Sequence, residues 1–283
     1  MNIVWFKRDL RWTDHLPLRE AILTGETMGL FIIEPEWLNS AEFSSAHLQF
    51  VHESLVELKH QLNLKNIPLL IRYGNCIEVF KKLKRQIPLH RVYSHEETGL
   101  MWTYRRDLDL KKWLNENSIQ WHESPQFGVI RKLKDRDEWA TLRKKIIERP
   151  LHAVPHQSIS PLVRLADDVD WSLLLKKEEL KPAAQKGGRE TGIQYLRSFL
   201  QQRGLHYTKS ISSPRRAFEG CSRISPWCKG ETGFPLIDAC MRALHKHGWI
   251  NFRMRAMLMS FASYQLWLHW KKPAEFLARH FID

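Results

Sequence analysis

The chain has 283 residues, 43% hydrophobic and 27% charged, and its 44 Lys and Arg against 31 Asp and Glu give a formal charge of +13. That length accommodates two domains, and the lack of a long apolar run or a signal-like start excludes a membrane segment and predicts a cytoplasmic protein. The basic excess favours a polyanionic partner, nucleic acid first, through long-range attraction and counterion release, although Lys81, Lys82, Lys84 and Arg85 also read as one solvated helix face.

Residues 1–125 alternate strand and helix patterns, the signature of a doubly wound parallel α/β sheet. Strands are predicted at Asn2–Phe6, Met28–Ile33, Pro68–Tyr73, Arg91–Ser94 and Ile119–His122. Between them, Ser44–Leu62 is a helix with Leu48, Val51, Leu55 and Leu58 on one face, and Trp102–Asn115 is another. The first strand is followed by Lys7-Arg8-Asp9-Leu10-Arg11 and not by a glycine loop, which disfavours ordinary dinucleotide binding there.

From 126 to 186 the periodicity weakens, and Pro150, Pro155, Pro161 and Pro182 interrupt it; this stretch reads as an interdomain linker with one helix at Asp137–Glu148. A helical domain is predicted over 187–283, opening with a helix from Gly187 to about Arg203. Pro235 suits the first turn of a further helix, where N–H groups lack intrahelical partners. Trp249–Trp270 is predicted as one continuous helix, apolar on nearly every face and mostly buried, with Trp249, Phe261 and Leu266 in the core. Within it Arg253 and Arg255 each require an anionic or hydrogen-bonding partner. Cys76, Cys221, Cys228 and Cys240 have neither C-x-x-C pairing nor zinc-like spacing, so free thiols are expected and no metal site is assigned.

Two motifs carry a family resemblance. GETGFPLIDACMRAL followed by GWINFRMRAM is similar to the flavin-binding core of the cryptochrome/photolyase family, and VWFKRDLRWTDHLPL resembles that family's opening strand and turn. The resemblance implies an α/β N-terminal domain and an all-α FAD-binding domain, here incomplete. Family members carry several further helices where Pro226 runs directly into Trp227, and they continue beyond Asp283.

The resemblance also assigns residues. Tyr207 and the segment containing Cys221, Ser222, Arg223 and Ser225 correspond to contacts with the flavin pyrophosphate and ribityl chain; read without it, that segment is a serine-rich helix cap. Arg255 and Asp283 correspond to an ion pair beside the flavin. Phe252 stands where many members have a flavin-contacting asparagine, so that contact is either lost or replaced by Asn251. Trp270 corresponds to the middle of the family's electron-transfer chain, with Trp267 as an alternative carrier three residues away. Arg253 corresponds to a DNA-backbone contact, with a simple surface arginine as the other reading. Trp5, Lys7, Arg8, Ser94, His95, Glu96 and Arg105 are placed to hold a second, antenna pigment, a folate or a deazaflavin, with a turn of mutually satisfied surface charges as the other reading.

The implied function is light-driven repair of pyrimidine dimers in UV-damaged DNA. The residues that contact the dimer would fall in the segment absent at Pro226, so weak flavin binding and little or no repair are expected of this chain, and no catalytic residue is assigned. Two alternatives stay open: a cryptochrome-like photoreceptor acting through a protein partner, and a truncated scaffold or nucleic-acid binder.

Overall fold

The computed structural model describes residues 1–41, 43–126, 131, 133–135, 137–157, 165–175, 186–207, 240, 250, 252–260, 262–263 and 270–279. Backbone contacts divide the chain into two compact units, one of Met1–Trp37 with Glu57–Val169 and the other of Leu38–Val56 with Asp170–Asp283.

The first unit is built on β1 (Asn2–Phe6), β2 (Thr27–Ile33), β3 (Leu69–Tyr73), β4 (Arg91–His95) and β5 (Gln120–Ser124). These runs of Val, Ile, Leu and aromatic residues are what a sheet covered on both faces requires. All neighbours pair in parallel, in the order β3-β2-β1-β4-β5. The order reverses between β1 and β4, so this is the doubly wound architecture expected, with its switch point at the carboxyl ends of those two strands. The sequence-predicted strand limits agree to within two residues.

Alternation along the strands sorts the core into layers. Ile3, Trp5, Met28, Leu30, Ile32, Leu70 and Val92 pack with Val79, Phe80 and Leu83 of α4 (Cys76–Gln86) and with Leu110 and Leu114 of α5 (Met101–Glu116). The intervening residues Val4, Phe6, Phe31 and Ile33 are buried too, as are Leu18 and Ala21 of α1 (Leu16–Thr24). Gly29 is required by a close approach, since a Cβ there would lie 2.9 Å from Leu69 Cδ1 and 3.1 Å from Phe6 Cε2. After the sheet the chain returns along its edge: Asp167 accepts from the Ile71 N–H and Asp168 from the Tyr73 N–H, each at 2.8 Å. Those carboxylates satisfy edge donors of β3 that would otherwise lack partners. A short helix α2 (Pro35–Leu38) and α6 (Trp139–Glu148) complete the connections.

In the second unit every regular element among the described residues is helical: the first part of α3 (Ser45–Asn63), α7 (Trp171–Leu174), α8 (Arg189–Gln201) with a 3₁₀ turn at Arg203–His206, α9 (Phe252–Ser260) and α10 (Lys271–Ala278). On α3 the predicted stripe is inward, with Leu48, Leu55 and Leu58 buried and Val51 partly so. Gly187 and Gly188 cross this helix closely, donating to Glu53 at 2.6 Å and Ser54 Oγ at 3.0 Å. Arg203 closes the C-terminus of α8 by donating to the Tyr195 carbonyl at 2.8 Å, the favourable end of the helix for a cation.

The expected long buried helix is corrected in its described part. Helix is present at Phe252–Ser260, where Met254 and Leu258 are buried while Phe252 is 77% exposed and Arg253, Ala256 and Ser260 are exposed. The helix is therefore buried along one stripe and not all round. Apolar composition fixes what a helix is able to bury, whereas the neighbours decide how much it does bury. Trp249, Phe261 and Leu266 lie outside the described residues, as does the helix predicted from Pro235 apart from Cys240.

Candidate functional site

The switch point at the carboxyl edge of the sheet is filled by an ion network. Lys7, one residue beyond β1, donates to Asp107 Oδ2 at 2.9 Å and lies 4.4 Å from the centre of the Trp5 ring. Arg106 of α5 lies 4.7 Å from the same ring, and its guanidinium reaches Glu34 after β2, Glu97 after β4 and Asp107. The side chains of all five charged residues are at most 10% exposed. Arg131 closes the outer side, pairing with Glu123 at 3.0 Å and reaching the Glu97 carbonyl.

One guanidinium thus serves three carboxylates. Burial pushes Glu34 up to about 7, outweighing the attraction of Arg106 because that cation is shared. Burial opposes the charge on Arg106 as well, but Glu34, Asp107 and Glu97 together raise its pKa. Burial also pushes the thiols of Cys76 and Cys240 up, which leaves both protonated and poor nucleophiles.

Beside this network Asp9, His15 and His95 form a second cluster, all at most 3% exposed. The Leu18 N–H donates to His15 Nδ1 at 3.1 Å, so the ring proton sits on Nε2 and is donated to Asp9 Oδ2 at 2.8 Å. His15 is thereby both the N-cap of α1 and a ligand of Asp9. His95 Nδ1 lies 2.6 Å from the same carboxylate oxygen and must donate to it, while its Nε2 is buried with no hydrogen-bond partner among the described residues. Asp9 Oδ1 accepts the Lys7 N–H at 2.8 Å.

The three donor atoms lie within 4.8 Å of one another, a spacing a metal ion also favours. The His15 tautomer argues for protons instead: a metal on Nε2 would force the proton onto Nδ1, against the Leu18 N–H. Burial disfavours the Asp9 charge, but the hydrogen bonds from His15 and His95 outweigh it and hold Asp9 well below its usual range; burial lowers His15 and keeps it neutral.

Sequence reasoning placed Trp5, Lys7, Ser94 and His95 at a pigment site without finding either cluster. The signal was present, because Lys7, Asp9, Glu34, His95, Glu96 and Glu97 all lie at, or within three residues beyond, the carboxyl end of a strand. Trp5, Ser94 and His95 are at most 2% exposed, and Trp121 donates to Ser94 Oγ at 3.0 Å. These residues are engaged with their own chain and offer no free face to a planar pigment as they stand. Arg8 and Arg105 are exposed.

In the helical unit Tyr207 is 38% exposed and packs edge-on against Phe199, with ring centres 5.7 Å apart. Arg253 is exposed and Arg255 half-buried, with Arg255 Nε reaching back to the Ile250 carbonyl at 3.4 Å. Trp270, at the start of α10, is 62% exposed. Cys221, Ser222, Arg223, Ser225, Asn251, Trp267 and Asp283 lie outside the described residues, so the Arg255–Asp283 pair does as well.

Residues 2–130 match the family model described as DNA photolyase, and residues 189–283 match the model described as the FAD binding domain of DNA photolyase. An α/β domain followed by an FAD-binding domain defines the photolyase class of flavoprotein. The chain belongs to the cryptochrome/photolyase family.

Among its relatives are a deoxyribodipyrimidine photo-lyase of Vibrio cholerae, 22% identical with 100% of this chain and 80% of the relative covered, and a cryptochrome DASH of Gloeobacter violaceus, 22% identical with 99% and 76% covered. The first alignment runs over 387 positions, so a long stretch of that relative faces gaps in this chain. A Synechocystis cryptochrome superposes with a TM-score of 0.80 at 20% identity, covering 100% of this chain and 79% of the other. A Sulfolobus tokodaii photolyase whose structure holds two FAD molecules superposes at 0.69, with 20% identity and the same coverage. These superpositions support the fold. The family models establish that an FAD-binding domain is present, and DNA is the substrate class the family implies. No described helix is long and apolar enough to cross a membrane.

Proposed function

We propose that this chain is a photolyase-type flavoprotein that retains affinity for DNA but binds FAD weakly and repairs pyrimidine dimers poorly. The observation that carries the reading is the division of labour on α9: Arg253 is exposed and Arg255 is half-buried, two residues apart and so on different sides of the helix. Arg253 lies on the solvent side, where a DNA phosphate would approach, while Arg255 reaches back to the Ile250 carbonyl within the segment that matches the FAD-binding model. Tyr207, the Cys221, Ser222, Arg223 and Ser225 segment, Asn251, Arg255 and Asp283 would hold the flavin. Short hydroxyl side chains and turn N–H groups suit pyrophosphate oxygens, with Arg223 adding charge.

When bound, the flavin supplies light-driven electron transfer. Around it, this chain's residues would anchor the phosphates, balance charge and present the DNA backbone. Trp270, which the resemblance makes the middle carrier, is 62% exposed and would pass an electron directly to solvent. Weak binding is expected because the helices that the family carries between the positions of Pro226 and Trp227 are not in this chain, and each tenfold loss corresponds to about 1.4 kcal/mol. A folate or deazaflavin antenna beside Trp5 would require Lys7 and Arg106 to move away from that ring, so it is not part of this reading.

The test is titration of the protein with FAD, followed by binding to UV-irradiated and undamaged duplexes and by dimer loss under blue light. Weak FAD binding with DNA affinity and slow or no dimer loss is expected. Efficient repair confined to illuminated samples would overturn the weak-repair part, and failure to bind FAD at any concentration would overturn the flavoprotein reading. A cryptochrome-like receptor would instead bind flavin without preferring irradiated DNA.

A further inference from the structure

The N-terminal half of α5 is inverted. Its inward side carries Thr103, Arg106 and Asp107, drawn in by the switch-point network, with Thr103 and Asp107 at most 7% exposed. Its outward side carries Met101, Tyr104 and Leu108 at 65%, 48% and 50% exposure. The spacing i, i+3, i+7 sets these three along one stripe of the helix, and the helix turns apolar again on its inner side only at Leu110 and Leu114.

The stripe has a charged surround of one predominant sign. Lys112 continues it along the helix, Arg105 and Lys111 flank it, and all three are exposed. On α4, which packs beside α5, Lys82, Lys84 and Arg85 are exposed as well, and the exposed Glu78 is paired with Lys81. Asp109 and Glu116 lie at one margin only. An apolar stripe about two turns long with a basic border is complementary to an amphipathic helix whose polar face is acidic.

We infer that the outer face of α5 is a docking surface for an acidic amphipathic helix of a partner protein, seated on Met101, Tyr104 and Leu108 and steered by Arg105, Lys111 and Lys112. The surface lies within the α/β unit and is independent of the flavin-binding reading. Nucleic acid fits less well, because two of the three central side chains are aliphatic and offer no stacking face to a base.

The probe is a fluorescein-labelled helical peptide of roughly 18 residues with leucines at i, i+3, i+4 and i+7 repeats and glutamates elsewhere. A control peptide of equal charge carries serine for leucine, and a short duplex DNA serves as competitor. Anisotropy should show saturable binding of the leucine peptide at least about tenfold tighter than of the serine peptide, and Leu108→Glu with Tyr104→Glu should reduce it by a similar factor. Arg105→Glu with Lys112→Glu should weaken it and flatten its salt dependence. Substitutions at these exposed positions should leave thermal unfolding unchanged. As a second readout, a solvatochromic dye on Leu108→Cys should shift to shorter wavelength when the peptide binds. Equal binding of the two peptides, indifference to the Leu108 and Tyr104 changes, or stronger binding of the duplex at these residues would each overturn the inference.

Discussion

His15 donates from Nε2 to Asp9 Oδ2 at 2.8 Å, and it is free to do so because its other nitrogen caps α1. The first loop after β1 is therefore tied to the start of α1 by a single ring whose proton position the helix itself dictates. His95, from the end of β4, meets the same carboxylate oxygen at 2.6 Å, so one buried aspartate joins both strands of the switch point to the first helix.

Replacing Asp9 by Ala should strand two buried imidazole N–H groups and the Lys7 N–H together. The expected loss is about 3–5 kcal/mol in urea unfolding at pH 7, the range for breaking a buried ionic contact. A change below about 1 kcal/mol would show that the cluster relaxes to water.

His15 is held neutral, its folded pKa below the unfolded value of 6.5. A group lowered in this way contributes stability that is complete above pH 6.5 and is lost as pH falls toward its folded value, because the unfolded chain takes up the proton first. His15→Asn keeps a capping oxygen while removing this titration. Its stability should vary less with pH between 7 and 5 than that of the unaltered chain, by urea denaturation at matched ionic strength.

Glu34 works in the opposite direction. Its pKa is raised to about 7, so its contribution is complete below the unfolded value near 4.5 and is lost as pH rises through 7. The difference corresponds to roughly 3 kcal/mol at about 1.4 kcal/mol per unit. Glu34→Gln should match the unaltered chain at pH 5 and be the more stable of the two at pH 8, since Glu97 and Asp107 still serve Arg106. Lower stability of Glu34→Gln at pH 8 would mean that the Arg106 pair outweighs burial.

At Gly187 a Cβ would lie 2.2 Å from the Phe50 carbonyl oxygen, a backbone atom that cannot turn aside. Gly187→Ala should displace the chain from α3, break the bond to Glu53 and cost about 1–3 kcal/mol. Faster proteolysis around residues 186–188 would accompany it, and unchanged protease resistance would count against this packing.

For DNA, Arg253→Ala should weaken binding about equally for all sequences and reduce the slope of log affinity against log salt by roughly 0.9, the signature of one lost phosphate contact. An unchanged slope would return Arg253 to an ordinary surface arginine.

The sequence by itself determined the sheet. Runs such as Asn2–Phe6 and Thr27–Ile33 are apolar and β-branched enough that only burial on both faces accommodates them, and the separation of Leu48, Leu55 and Leu58 makes α3 one-sided in any fold. The GETGFPLIDACMRAL and GWINFRMRAM motifs carried the family for the same reason, since they are contiguous.

What only the tertiary structure decided is the chemistry of the switch point. Lys7, Glu34, Glu97, Arg106, Glu123 and Arg131 come from separate elements spread over more than a hundred positions, and parallel strands bring them to one edge only because each strand ends at the same level. Burial of α9 and of the start of α10 was likewise not legible: the composition is apolar, but the extent to which Phe252 and Trp270 meet solvent depends on which other helices lie against them, and that is a property of the assembled neighbours, not of either helix.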